Sequence, residues 1–379
     1  MKTHIALVGS QPIPVFLGIK SSGENVNRVI LVHSSQTREE ASRLAVCCSK
    51  MPSCEQILLD PVNLDAIETC ARQLYDQVKD DEVVLDLTSG TKAWSLTFYR
   101  VFMTLEKARF ILVNQNNLVV DLITHEETEE TIDNELRFLL YGTPLKRFTP
   151  FSEYTEEDFK VCKRVEKLRL KNHKAFNELT KELQSEKNQG RRNSINGTFI
   201  EWDKEVGSVN LCLCNTQGED LKPTYLLSPH ALDIVFNNGW FELKTAMELS
   251  KNPMVKNIWM NCEFVAKGNM SKNEIDIILD MGNKLFFVEC KTMVFEMTDI
   301  DKFHSAIKNF SGTSSKGIFV VNDLPSVKHK KYSTVQEKCK DNDILIFNFS
   351  QYKKDKPNNP NLLSLNEIIN SNLNKINKR

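Results

Sequence analysis

The sequence has no run of eighteen or more apolar residues, no CxxC pair and no excess of charge of one sign. Each absence removes a class of protein. Without a long apolar run there is no candidate membrane helix, and the opening MKTHIALVGSQP leads straight into a strand-like segment instead of a secretory signal. Lys plus Arg is 49 against 50 for Asp plus Glu, a net charge of -1, so neither a globally basic nucleic-acid coat nor an acidic disordered tail fits. The ten cysteines lack metal-site spacing; Cys47 and Cys48 are adjacent, and Cys212 and Cys214 lie two apart. They are expected to be reduced and mostly buried, in a cytoplasmic protein. No arginine occurs between Arg192 and Arg379. Any phosphate contact in the second half would therefore come mainly from lysine and backbone amides, which position a strand without reading bases. Lys328-His329-Lys330-Lys331 is a candidate basic edge.

What is present is an α/β chain of 379 residues, long enough for two domains. HIALVG, RVILVH, EQILLD, EVVLDL and ARFILV are short apolar runs separated by helical stretches near 37–50, 63–79 and 91–107. Runs without polar alternation fit strands buried on both faces, hence a parallel Rossmann-like sheet. LVVDLI, after Asn116-Asn117, is expected to hairpin back onto the fifth strand. The expected organisation is a Rossmann-like domain over 1–150, a charged helical linker over 151–196 and a second α/β domain over 197–379. Within the linker, Lys and Arg outnumber Asp and Glu. That predicts a solvated helix, with a phosphate-facing helix as the alternative. NQGRRNSING (188–197) is expected to be a hinge or loop. The second domain shows a helix from Gly239 to Ser250, strands at 257–265, 274–280 and 285–291, a helix at 298–310, then strands at GIFVVN and DILIFN. One amphipathic helix candidate lies in the Lys- and Asn-rich tail.

The most informative stretch is NEIDIILD-MGNK-LFFVECK (273–291), in which Gly282-Asn283 is a two-residue hairpin signal. Pairing Met281 with Lys284 sets Asp276 across from Glu289 and Glu274 across from Lys291. All four then share one face, with Ile275, Ile277, Val288 and Cys290 on the other. Two opposed carboxylates roughly 5 Å apart repel each other, and a hard divalent ion, Mg²⁺ or Mn²⁺, removes that repulsion. A lysine beside them suits phosphodiester hydrolysis. The competing account is a solvated hairpin that happens to carry Glu and Lys.

These residues resemble the PD-(D/E)XK nuclease superfamily, which has a restriction-endonuclease-like fold. The resemblance implies that Asp276, Glu289 and Lys291 are catalytic, with Asp276 and Glu289 as metal ligands. The superfamily often adds a glutamate from a preceding helix, and Glu242 in GWFE matches that place. The proline that often precedes the aspartate is absent.

In the first half, two loops each follow a strand: Gly9-Ser10-Gln11-Pro12-Ile13-Pro14 and Thr88-Ser89-Gly90-Thr91-Lys92. Strands one and four commonly flank the topological switch point, so both loops should line one crevice. Hydroxyls, helix-start amides and a lysine make an anion site. Neither loop is GxGxxG or GxxxxGK[ST], which disfavours a dinucleotide redox site and a P-loop ATPase. The loops resemble the CARF domain of type III CRISPR defence. With the second domain, the chain resembles the CRISPR ancillary nucleases activated by cyclic tetra-adenylate. That resemblance implies a homodimer binding the activator through Ser10, Gln11, Pro12, Thr88, Ser89, Gly90, Thr91 and Lys92. It also implies cleavage or nicking of DNA, with single-stranded RNA as a second candidate substrate. Two other readings stay open: a ligand-sensing nucleic-acid-binding regulator that does not cut, and a nuclease without a ligand switch.

Overall fold

The computed structural model describes residues 1–49, 51–181, 188–214, 222–265, 274–282, 284–292, 296–311, 315–322 and 330–376. Two compact units emerge, one built on Met1–Leu145 and the other on Lys146–Ile307 and Ser314–Ile376.

In the first unit the chain alternates β1 (Lys2–Leu7), α1 (Pro12–Ser21), β2 (Arg28–His33), α2 (Arg38–Cys47), β3 (Cys54–Leu58), α3 (Leu64–Val78), β4 (Glu82–Asp86), α4 (Lys92–Phe102) and β5 (Ala108–Val113). It ends with β6 (Leu118–Asp121), β7 (Glu127–Glu129) and α5 (Asn134–Leu140). The sheet order is β3-β2-β1-β4-β5-β6-β7. β1 to β5 run parallel, and β6 turns back antiparallel onto β5 as the Asn116-Asn117 signal predicts. Side-chain alternation explains why these strands lack polar positions. Ala6, Val29, Leu31 and Val84 pack under α1, α2 and α5. Ile5, Leu7, Ile30, Val32, Val83 and Leu85 pack on the opposite face against Ile67 and Leu74 of α3 and Trp94 and Phe98 of α4.

One helix differs from expectation. α1 begins at Pro12, inside the stretch taken as a loop through Pro14. Seven of its ten residues are buried, so no 3.6-residue polar stripe marks it in the sequence. Its prolines lie in the first turn, where an amide donor has no helical partner to lose.

The second unit opens with β8 (Leu145–Pro150), α6 (Glu156–Leu168), α7 (His173–Leu179), β9 (Gln189–Asn193), β10 (Phe199–Asp203), β11 (Ser208–Cys212) and β12 (Thr224–Leu227). There follow α8 (Ala231–Val235), α9 (Gly239–Leu249), β13 (Asn257–Phe264), β14 (Glu274–Asp280), β15 (Leu285–Lys291) and α10 (Met297–Ser311). β16 (Lys316–Val321), α11 (Lys330–Asp341), β17 (Ile344–Asn348), α12 (Phe349–Asp355) and α13 (Leu365–Ile376) complete it. A six-stranded mixed sheet, β17-β16-β15-β14-β13-β8, lies beside a four-stranded antiparallel sheet, β12-β11-β10-β9.

The expected linker over 151–196 is built into this unit. α6 buries Val161, Cys162, Val165 and Leu168 in the same core as Trp240, Phe241 and Leu243 of α9. Its start is fixed by a capping box in which Thr155 and Asp158 satisfy each other's backbone amides. Half of the expected hinge at 188–197 is strand β9, paired with β10. Gly190 permits this, because a Cβ there would lie 2.2 Å from the Trp202 ring. All ten cysteines are free thiols. Among the described residues no helix is long and apolar enough to cross a membrane.

Candidate carboxylate and activator sites

The β14–β15 hairpin has the register read from the sequence. Ile277 pairs with Val288, Ile278 with Phe287 and Asp280 with Leu285, and the Met281 amide donates to the Lys284 carbonyl at 2.9 Å. One step further along the hairpin, Asp276 falls beside Glu289. There the strands part, and Asp276 Oδ2 accepts the Cys290 backbone amide at 2.7 Å. Glu289 is almost fully buried, and its Oε1 lies 3.0 Å from Lys291 Nζ. Burial works against the Lys291 ammonium, but the Glu289 and Asp276 carboxylates hold its pKa above the ordinary lysine value.

Glu242 comes from the first turn of α9. That turn is seated by Gly239, where a Cβ would lie 1.9 Å from the Asp233 carbonyl oxygen. Burial raises the Glu242 pKa well above the carboxylate range, and the charges of Asp276, Glu274 and Glu289 push it further, against a smaller lowering by Lys291. The helix glutamate and the hairpin residues therefore share one electrostatic environment. Glu274 is exposed at the strand end, paired with Glu263 of β13. Asn273 and Asn283 lie outside the described residues, as does Lys328-His329 of the expected basic edge.

Three residues beside this cluster carried no sequence signal. Asn261 of β13 stands between Met260 and Cys262, whose partners are Ile277 and Ile275, and so lies across from Asp276. Its backbone is left-handed at φ 52°, and its Nδ2 lies 3.5 Å from the Tyr154 hydroxyl. The Tyr154 ring lies 4.4 Å from the His230 ring, and buried Asp158 holds His230 Nδ1 at 3.1 Å. Burial, and then the charges of Asp233, Glu242 and Asp158, raise the tyrosine pKa.

As a donor set, Asp276, Glu289 and Glu242 offer only carboxylate oxygens, which fit a hard divalent cation such as Mg²⁺ or Mn²⁺. A Glu242 pKa raised beside the like charges of Asp276, Glu274 and Glu289 is what a bound cation would relieve. Among the described residues no three His, Cys, Asp or Glu side chains already form a metal cage.

At the other site, β1 and β4 are neighbours, and their loops meet. A Cβ on Gly9 would lie 3.0 Å from Ser89 Cβ and 3.3 Å from the Gly90 amide nitrogen. Ser10, Gln11, Gly90 and Lys92 are exposed there. The remaining expected contacts differ. Pro12 is buried as the first residue of α1. The Thr88 hydroxyl donates to Asp86 and accepts the Val113 amide at 2.8 Å, tying the loop to β5. The Thr91 hydroxyl caps α4 by accepting the Trp94 amide at 3.2 Å. Ser89 is partly buried against Gly9. Thr37, which the sequence did not single out, reaches the same sheet edge and donates to the Val8 carbonyl at 3.2 Å.

Residues 3–140 match the family model described as the Card1 CARF domain. The chain is similar in fold to Can2 from Sulfobacillus thermosulfidooxidans, solved with cyclic tetra-adenylate. The two are 17% identical with a TM-score of 0.62, over 92% of this chain and 95% of that one. Protein VC1899 from Vibrio cholerae is similar at 14% identity and TM-score 0.67, over 94% and 96% of the two chains. A type III CRISPR defence DNA nuclease activated by cyclic oligoadenylate matches at 14% identity and TM-score 0.53. That match takes in 94% of this chain and 52% of the other, so the chain spans about half the length of that nuclease. No match was found among curated proteins. A parallel sheet with its β1 and β4 loops meeting at the switch point, and a family match over the same residues, lead to one conclusion: the first unit is a CARF domain, in a chain that resembles the CARF-domain ancillary effectors.

Proposed function

We propose that this chain is a metal-dependent nuclease switched on by a cyclic oligoadenylate in type III CRISPR defence. The observation that carries the nuclease reading is the hairpin register, which brings Asp276, Glu289 and Lys291 to one end of the sheet with Glu242 in their field. The CARF match and the cyclic tetra-adenylate bound in the Can2 structure support the activator reading.

In this reading Asp276, Glu289 and Glu242 hold Mg²⁺ or Mn²⁺. The bound ion supplies Lewis acidity toward a phosphoryl oxygen and a lower pKa for water. Lys291 sets a fixed positive charge where negative charge develops on the phosphorane oxygens. Glu289 keeps that lysine pointed inward, and the apolar packing of Phe286, Phe287 and Val288 holds the strand beneath it rigid. Glu242, with its raised pKa, is the carboxyl best placed to carry a proton when the site is empty of cations.

At the sensor, Ser10, Gln11, Gly90 and Lys92 face the activator, with Ser89 at the base of the crevice. A two-fold activator fits a homodimer in which each protomer presents the same patch. Ligand binding then shifts the population toward an arrangement competent for DNA or RNA. With few arginines, the nuclease half should cut with weak sequence preference and strong salt dependence.

The test is cleavage of supercoiled plasmid with Mn²⁺, with and without cyclic tetra-adenylate. Cutting only with the activator is expected. Equal cutting in both supports a nuclease without a switch; binding without cutting supports a regulator.

A further inference from the structure

Outside the carboxylate site, one face of α6 carries a run of exposed cations. Lys160, Lys163, Arg164 and Lys167 are exposed at positions i, i+3, i+4 and i+7, a spacing that sets them in one stripe. Lys171 and Lys174, also exposed, continue the run beyond the end of the helix. The opposite face is the one buried against α9.

The stripe is not neutralised from within. Glu166, the one acidic residue of α6 after its first turn, is engaged by Lys244 at 2.7 Å and Lys353 at 3.6 Å. Glu157 pairs with Lys160 at 3.7 Å. Lys163, Arg164 and Lys167 have no ion-pair partner among the described residues. The other described arginines of this unit differ from Arg164. Arg147 lies 3.8 Å from Glu263, Arg169 stacks on Trp240, Arg191 pairs with Glu201, and Arg192 donates to the Leu179 carbonyl.

The helix also starts at the right place. Tyr154, two residues before its first turn, reaches Asn261, which stands across from Asp276. The stripe thus leads away from the carboxylates along the helix axis. From residue 160 to 167 the axis rises roughly 10 Å, a length over which one strand of duplex presents about three phosphates.

We infer that the solvent face of α6 is the track along which the nucleic-acid backbone leaves the carboxylate site, held through phosphate by Lys163, Arg164 and Lys167. The inference rests on the nucleic-acid reading above, but not on cleavage. It also assigns this helix the phosphate-facing role that its charge left open.

The test uses the full-length protein and a fluorescein-labelled 30-base-pair duplex of mixed sequence. Anisotropy is read from low to moderate salt without divalent metal. The triple variant Lys163→Ala, Arg164→Ala, Lys167→Ala should make the log–log salt slope shallower by roughly two to three, at about 0.9 per lost phosphate contact. It should raise KM for DNA at least tenfold and leave kcat at saturating DNA and the affinity for cyclic tetra-adenylate unchanged. A control pair, Lys340→Ala with Lys354→Ala, should move the slope by far less. An unchanged slope in the triple variant, or equal losses in the control, overturns the inference and leaves the nuclease reading standing. Stripe-dependent binding by a protein that never cuts upholds the inference while the nuclease reading falls. A wild-type chain that binds no duplex at low salt overturns both.

Discussion

Lys291 Nζ lies 3.0 Å from Glu289 Oε1, on a strand that is buried from Leu285 to Glu289. The pair makes the end of β15 a charged edge on an apolar sheet. Burying Glu289 is costly unless a cation stands beside it, and Lys291 is that cation in the structure described.

Exchanging Glu289 for Gln should therefore abolish plasmid cleavage, and Lys291→Met should lower its rate on the order of a hundred-fold or more. Affinity for cyclic tetra-adenylate, read by calorimetry, should stay within a few-fold of wild type for both. Retained cutting in Glu289→Gln would remove this hairpin from the catalytic account.

Gly239 tests the helix that carries Glu242. A methyl group there meets the Asp233 carbonyl, so Gly239→Ala must push the start of α9 outward. The expected cost is about 1–3 kcal/mol in stability. Activity should fall more than the melting shift accounts for, since Glu242 lies three residues on. Thermal melting and single-turnover cleavage on the same preparations check this.

Gly9 tests the sensor crevice. Its missing Cβ lets the β1 loop rest on Ser89 and the Gly90 amide. Gly9→Val should separate the two loops and weaken cyclic tetra-adenylate at least tenfold. Cutting at saturating activator should recover. Wild-type affinity in this variant would show that the loops do not act as one site.

The pH behaviour should come from a buried pair in the first unit. His4 Nε2 lies 3.9 Å from Asp86 Oδ2, and both side chains are excluded from solvent. Burial pushes Asp86 up to about 7, against its bonds from Thr88, while burial and then the charges of Lys2 and Arg109 push His4 down to about 3. The signs differ. Folded Asp86 holds a proton that the unfolded chain releases near 4, so its contribution to stability is lost as pH rises toward 7. Folded His4 refuses a proton that the unfolded chain takes up near 6.5, so its contribution is lost as pH falls from there toward 3. Melting temperatures of Asp86→Asn relative to wild type should thus rise between pH 4.5 and 8, because the amide carries no titrating burden. A difference that stays flat across that range contradicts the assignment.

Much of this protein was legible before folding. Unbroken apolar runs such as RVILVH declared strands covered on both sides, and Gly282-Asn283 between NEIDIILD and LFFVECK set the register that pairs Ile277 with Val288. Those features are local or period-two, so the chain writes them out directly. The helix α1 was hidden because PIPVFLGIKS is buried nearly all round and shows no stripe. β9 was hidden because QGRRN has turn-forming composition, and its pairing with β10, with Gly190 leaving room for the Trp202 ring, makes it a strand.

The sequence alone determined the α/β alternation, the two-unit plan and the presence of Asp276, Glu289 and Lys291 on one hairpin. The tertiary structure decided which polar groups remain available. It turned the Thr88 and Thr91 hydroxyls inward as backbone ties, buried Pro12 in a helix and packed α6 against α9 so that its lysines and Arg164 meet water. It also brought Tyr154 to Asn261, the residue of β13 opposite Asp276. The reason is physical. A side chain's hydrogen-bond partner and exposure are set by residues far away in the chain, and no local pattern encodes them.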